Sequence, residues 1–407
     1  MFIIVTKLII FSFCISLLST EMPVITWTKS FGKYGNESIK LISQTFDKGY
    51  IILGTTSPFG SNITDIYLLK TDKNCDPMWT KTYGGVYDDF GNSIVQTSDS
   101  SYIISGRIWL RGWDGDDMLL LKVNSNGDIE WSKKYGEIKR NESALSIVDA
   151  YDGNYVILAD SGSVSNLGHF DAHFIEINGN GDIIREKNIS TTNINDVEFG
   201  AMMQRTEDQG YIITGSIWRE EKKENSYDIW LEKIAAEGDV IWYKTFGSIG
   251  QDEGRGVQQT SDEGYIVVGC IAQKIPLKPI RGDGWITYKG SQTDIYLIKT
   301  DSNGDTLWSK TYGGDEDENA YSVQETSDGG YIVGGYTESF SVGGKDIYII
   351  KTDAFGNRLW SMTYGGLGDD RCLSITEAWD GGYIAGCNSN SFGRGDTDIY
   401  LIRIVKK

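Results

Sequence analysis

Leu307-Trp308-Ser309-Lys310-Thr311-Tyr312-Gly313-Gly314 is followed by Tyr321-Ser322-Val323-Gln324, then by Thr326-Ser327-Asp328-Gly329-Gly330-Tyr331-Ile332-Val333-Gly334-Gly335, then by Asp346-Ile347-Tyr348-Ile349-Ile350-Lys351. This unit decides the fold, because the chain repeats it. The tryptophan returns at Trp27, Trp79, Trp131, Trp242, Trp308 and Trp360, with Arg185 in the fourth position. Successive positions are 52, 52, 54, 57, 66 and 52 residues apart. Three other columns have no exception. A turn aspartate stands at Asp47, Asp99, Asp152, Asp208, Asp262, Asp328 and Asp380. A tyrosine follows it by three residues, from Tyr50 to Tyr383. A second aspartate opens the Asp-Ile-Tyr-Leu-Ile-Lys segment, at Asp65, Asp117, Asp171, Asp228, Asp294, Asp346 and Asp398. The copy number is therefore seven.

Each copy holds four short strand candidates separated by turn residues, named here A to D in chain order. The A–B turn is Asp-Gly-Gly-like. The C–D turn carries Asn-Gly, as at Asn303-Gly304, which suits positive φ in a tight hairpin. Strands B and C are apolar on both faces, so both faces must be covered. A four-stranded antiparallel blade stacked between two neighbours meets that demand. The reading is an all-β fold, a seven-bladed β-propeller. The last copy lacks a D strand, and an orphan D strand, Val24 to Phe31, precedes the first copy. That strand completes blade seven and closes the ring, which removes open sheet edges. Residues 23–407 then form one domain.

The order Gly334-Gly335, Tyr348, Trp360 resembles a kelch motif, although only blade six has the glycine pair. The C–D hairpin with its tryptophan is similar to the tryptophan-docked repeats of quinoprotein-type propellers. The whole unit most resembles repeat propellers of exported bacterial and archaeal proteins. The resemblance implies architecture and says almost nothing of chemistry.

Composition narrows the function. The 407 residues include 49 Gly, 5 Pro, 23 Tyr and 12 Trp, so turns are built with glycine and strands with aromatics. With 38 basic and 57 acidic residues the formal charge is −19, which argues against a nucleic-acid partner. Two histidines, His169 and His173, leave little for metal hydrolysis or Ser-His chemistry, and four residues apart on a strand they do not share a metal. Residues 1–20 place Lys7 before an apolar run from Leu8 to Leu18 and read as a secretory signal; the alternative is an uncleaved anchor, because Phe2 to Val5 extends the run. The expected location is secreted or cell-surface, with no membrane span in the mature chain. Of Cys75, Cys270, Cys372 and Cys387, only the last two come close in this arrangement, and their disulfide stays open.

Residues present in every blade serve what every blade shares, which is folding; exceptions point to function. The tryptophan packs between blades. The turn aspartate bonds its own backbone and pairs with a basic residue five after the strand-C aspartate, among them Lys70, Lys299, Lys351 and Arg403. Acids also recur where strand D crosses to the next strand A: Glu37, Asp89, Glu142, Glu198, Asp252, Glu318 and Asp370. They share one face with the strand-C aspartates. Two readings follow: a calcium-holding surface, or carboxylates that accept backbone N–H groups and lock the loops. Off the repeat, Trp109, Trp113, Trp218 and Trp285 fall at the end of strand B or in B–C loops. Exposed indoles beside acids suit stacking on sugars; the competing reading folds them back over the blade tops. The expected activity is non-catalytic binding of carbohydrate or protein on the B–C and D–A loop face. The alternatives are a polysaccharide-acting glycosidase or lyase using acids at the channel mouth, and a structural surface repeat protein.

Overall fold

A computed structural model describes residues 22–405 except 33–34, 62, 111–114, 138–139, 164–169, 190–196, 219–226, 249 and 277–287. The described residues form 28 strands in seven four-stranded antiparallel sheets. Blade one is Asn36–Gln44, Tyr50–Ser57, Asp65–Thr71 and Pro77–Tyr83. Blade two is Asp88–Gln96, Tyr102–Leu110, Gly115–Val123 and Ile129–Tyr135. Blade three is Arg140–Asp149, Tyr155–Ser163, Phe170–Ile177 and Ile183–Asn188. In blade seven, Val24–Phe31 pairs antiparallel with Asp398–Val405, outside Tyr383–Ser389 and Asp370–Glu377. The A strands touch one another all the way round, which places them at the axis. Each A strand carries one β-bulge, for example between Ile39 and Leu41 and between Cys372 and Ser374.

Strands B and C are buried almost throughout, as in Tyr331–Thr337 and Asp346–Thr352. They are packed by neighbouring blades on both faces, which explains their continuous apolar runs. The turn chemistry matches the sequence. Asp301 accepts the N–H groups of Asn303 and Asp305, both at 2.9 Å. This Asx turn accounts for the residues Asp301-Ser302-Asn303-Gly304-Asp305. Asp47 accepts the N–H of Gly49 at 3.0 Å and pairs with Lys70 at 2.9 Å. The ammonium is buried and also donates to the Thr71 carbonyl at 2.8 Å. Lys351 repeats this with Asp328 and the Thr352 carbonyl. Cys372 and Cys387 lie opposite each other in register, buried, as free thiols.

The tryptophan column joins blades. Trp79 lies on the next blade's C–D hairpin, and its Nε1 donates to the Ser125 carbonyl at 3.1 Å. Trp131 does the same to Gly179 at 3.2 Å. The hairpin glycine makes room: at Gly304, φ is +78° and a Cβ would stand 2.6 Å from the Trp242 ring. The same indole meets Tyr265 with ring centroids 5.8 Å apart. A strand-D tyrosine adds a second grip, as Tyr83 donates to the Gly127 carbonyl at 2.7 Å.

Blade three lacks the tryptophan, and three positions change together. Arg185 takes the Trp place and Glu176 the Lys place, and they face each other in register with an ion pair at 3.5 Å. Phe174 stands where other blades have Leu or Ile, and it supplies the missing ring. Its centroid is 5.9 Å from Tyr211, and a Cβ on Gly238 would come within 2.7 Å of it. The aromatic contact between blades is kept while its donor moves from strand D to strand C. Phe174→Ala is therefore expected to destabilise the protein by about 3–5 kcal/mol. Arg185→Ala, at a half-exposed ion pair, is expected to cost about 1 kcal/mol or less. Denaturant unfolding of the two variants checks the ranking, and equal losses would contradict the assignment of the junction to Phe174.

Candidate binding site at the mouth of the ring

The D–A acids stand at the start of the A strands, where the sequence puts them, and most are spent on their own loops. Asp370 accepts the Gly366 N–H at 2.9 Å and the Ser389 hydroxyl. Glu318 accepts from the N–H groups of Gly314 and Ser339 at 2.8 and 3.0 Å. Asp252 accepts from Ala272 N–H at 2.6 Å, and Glu37 from the Thr56 hydroxyl at 2.8 Å. The backbone of these acids also links blades, because Asp89 N–H donates to the Thr64 carbonyl of blade one at 2.7 Å. This is the loop-locking arrangement. The side chain of Glu198 lies outside the described residues. Among the described residues, no three His, Cys, Asp or Glu side chains form a group able to hold a metal ion.

The strand-C aspartates stand beside these acids across each junction. Gly365 lies between Asp346 and Asp370; a Cβ there would fall 2.3 Å from one carboxylate and 2.9 Å from the other. Gly313 lies in the same way between Asp294 and Glu318. Only glycine fits these places. Burial first, and the neighbouring carboxylate second, push Asp294 and Asp346 above the usual carboxylate range. Burial likewise pushes Asp89 up to about 6 and Glu142 up to about 7.

One step along strand A from each acid, the repeat breaks down. The residues there are Ser38, Phe90, Ser143, Phe199, Glu253, Asn319 and Arg371. Their register partners on strand B are Thr55, Arg107, Asp160, Ser216, Cys270, Tyr336 and Asn388. In the six blades whose strand-A side chains are described, strand alternation turns this pair to the opposite face from the acid. The same register in seven blades thus carries seven different pairs, and several of them line cavities on the loop face.

A cavity of about 740 Å³ lies over blades two and three. Phe90, Arg107 and Trp109 form one wall, and Asn141, Glu142 and Asp160 another. Arg107 stacks on the Phe90 ring, 4.6 Å from its centroid, and pairs with Asp116. Asp116 N–H donates to Asn141 at 3.1 Å, which ties blade two to blade three. Trp109 remains 45% exposed, an unusual state for an indole. Glu142 and Asp160 also line a smaller recess of about 200 Å³ that holds Arg140 and His173.

Of the four tryptophans singled out from the sequence, Trp109 lines the cavity. Trp218 ends strand Tyr211–Trp218, half-buried, paired in register with Val197 and Tyr227, and is not among the cavity's lining residues. Trp113 and Trp285 lie outside the described residues. Arg107, Asp160 and His173 were not picked out from the sequence. Their signal was present as departure from the repeat: Arg107 and Asp160 occupy the column that never repeats, and His173 stands where most blades place an aromatic ring.

No protein-family model matches the chain, and no curated protein matches it. Solved structures do. A protein of unknown function from Dyadobacter fermentans is 7% identical, with a TM-score of 0.55 over 95% of this chain and 99% of its own. The WD40 domain of Neurospora crassa Pan2 is 8% identical, with a TM-score of 0.52 over 95% and 96%. At such identities these likenesses show the fold alone.

The raised carboxyls predict a pH dependence. In the unfolded chain Asp and Glu titrate near 4. Folded Asp89 and Glu142 hold their protons to about 6 and about 7. Between these limits the folded state binds more protons, so stability falls as pH rises through about 4 to 7. The turn aspartates act oppositely and lower down. The hydrogen bond from Thr97 leads in holding Asp99 well below the usual range, and that stabilisation is lost only as pH falls below about 4. The melting temperature is expected to be higher at about pH 5 than at about pH 8, and Asp89→Asn with Glu142→Gln is expected to flatten that slope.

Proposed function

We propose that this chain is an exported, non-catalytic binding propeller whose ligand is a carbohydrate held in the cavity beside Trp109. The observation that carries this is the exposed indole in a cavity also lined by Arg107, Asn141, Glu142 and Asp160. An indole face stacks on the C–H face of a sugar ring, and flanking carboxylates and amides bond its hydroxyls. Ring docking by the repeat tryptophan supports grouping the chain with kelch-like and quinoprotein-like exported propellers. Residues 1–20 support export, and the charge of −19 speaks against nucleic acid. A protein ligand on the same face is the alternative within the binding class.

A second reading, cleavage of the bound glycan, has one observation in its favour. Glu142, pushed up to about 7 by burial, lies in the same cavity, and a carboxyl still protonated near neutrality suits a general acid.

A polysaccharide panel read for retention and for released oligosaccharides tests both. Retention without release is expected, with at least about a tenfold loss in Trp109→Ala and little change in Trp218→Ala. Release abolished by Glu142→Gln would replace binding with hydrolysis or lyase chemistry. Neither signal would leave a protein-binding or structural propeller.

A further inference from the structure

The mouth cavity and the recess adjoin, since Glu142 and Asp160 line both. The cavity offers the Trp109 face. The recess is rich in acceptors. His173 lines the recess, and its Nε2 is buried with no hydrogen-bond partner. Its Nδ1 faces the Glu186 carboxylate at 3.5 Å. A carboxylate only accepts, so Nδ1 keeps the hydrogen and Nε2 presents a lone pair. Burial lowers the basicity of the imidazole, which keeps it neutral.

Both arginines of the site are already engaged. Arg107 is paired with Asp116. Arg140 donates to Ser161 at 2.8 Å and faces Glu142 at 3.6 Å. A buried lone pair at His173 in a recess that also holds the Glu142 carboxylate asks for a ligand with several hydrogens on one atom and a positive charge. A primary ammonium has three donors and no acceptor. A hydroxyl has one donor, and an N-acetyl group adds an acceptor and removes the charge.

We propose that the site takes an amino sugar, its ring stacked on Trp109 and its protonated amine seated in the recess against Glu142 and His173. The proposal rests on the carbohydrate reading above and names the sugar class. It also makes binding proton-linked. An ammonium beside Glu142 favours its ionised form, so binding at about pH 5.5, where the free amine and the free carboxyl both carry their protons, releases a proton.

Calorimetry with the full chain compares three tetrasaccharides of the same linkage: β-1,4-glucosamine, β-1,4-N-acetylglucosamine and cellotetraose. The glucosamine oligomer is expected to bind at least about tenfold tighter than the other two. Its heat is expected to vary with buffer ionisation enthalpy, as proton release requires. Glu142→Gln is expected to abolish the preference for the amine while weak binding of the neutral oligomers persists. Trp109→Ala is expected to weaken all three together. The wild-type comparison holds even if a variant fails to fold. Equal binding of all three would overturn the amine assignment and leave the carbohydrate reading standing. Binding of none would overturn both. A tetralysine peptide bound as tightly as the glucosamine oligomer would overturn the sugar class in favour of a cationic peptide.

Discussion

The structure depends on one contact, the grip of a blade's outer aromatic on the next blade's hairpin. An indole lies over a glycine, its N–H reaches a carbonyl, and a tyrosine hydroxyl takes the carbonyl next along. Singly these are modest, about 1 kcal/mol for the hydrogen bond and about 0.5–1.5 kcal/mol for the ring pair beyond its buried area. Repeated from blade to blade they support one another, up to blade seven, whose strands C and D are not joined by a hairpin and where Trp360 keeps only its ring contact, with Tyr383 at 6.1 Å. Blade three shows that the constraint falls on the contact and not on the residue. Its strand-D tryptophan is gone, yet Phe174 puts a ring on Tyr211 from another strand.

This explains what the sequence could and could not tell. The blade count, the four strands per blade and the closing strand Val24–Phe31 were legible because they are written seven times in one alphabet of turn and ring residues. The pairing of Lys70 with Asp47 was legible for the same reason. The blade-three exchange was visible only in part. Arg185 stood out as an exception, but its link to Glu176 and Phe174 depends on strand register. The site was harder still. Trp109 announced itself as an off-column aromatic. Arg107, Asp160 and His173 did not, because the cavity joins two blades and no local pattern says which loops meet.

The division of labour between neighbouring positions is physical. Along strand A, successive side chains point to opposite faces. The acid faces the junction and is fixed by the N–H groups of its loop. The residue after it faces the mouth with its strand-B partner and is free of the junction's demands. Seven blades can therefore hold one structural solution and seven different surface pairs, so recognition can change without disturbing the packing that keeps the ring shut.

The closing strand has a consequence for the newborn chain. Val24–Phe31 leaves the ribosome before the rest of the ring, and its partner, Asp398–Val405, leaves after it. Until then blade seven lacks its outer edge, and the strand that will form that edge has nothing to pair with. The circle is latched by the pairing of these two strands, so a chain cut short before Asp398–Val405 cannot shut. An interrupted product would expose two open edges and stay recognisable as unfinished to any machinery that surveys unpaired strands.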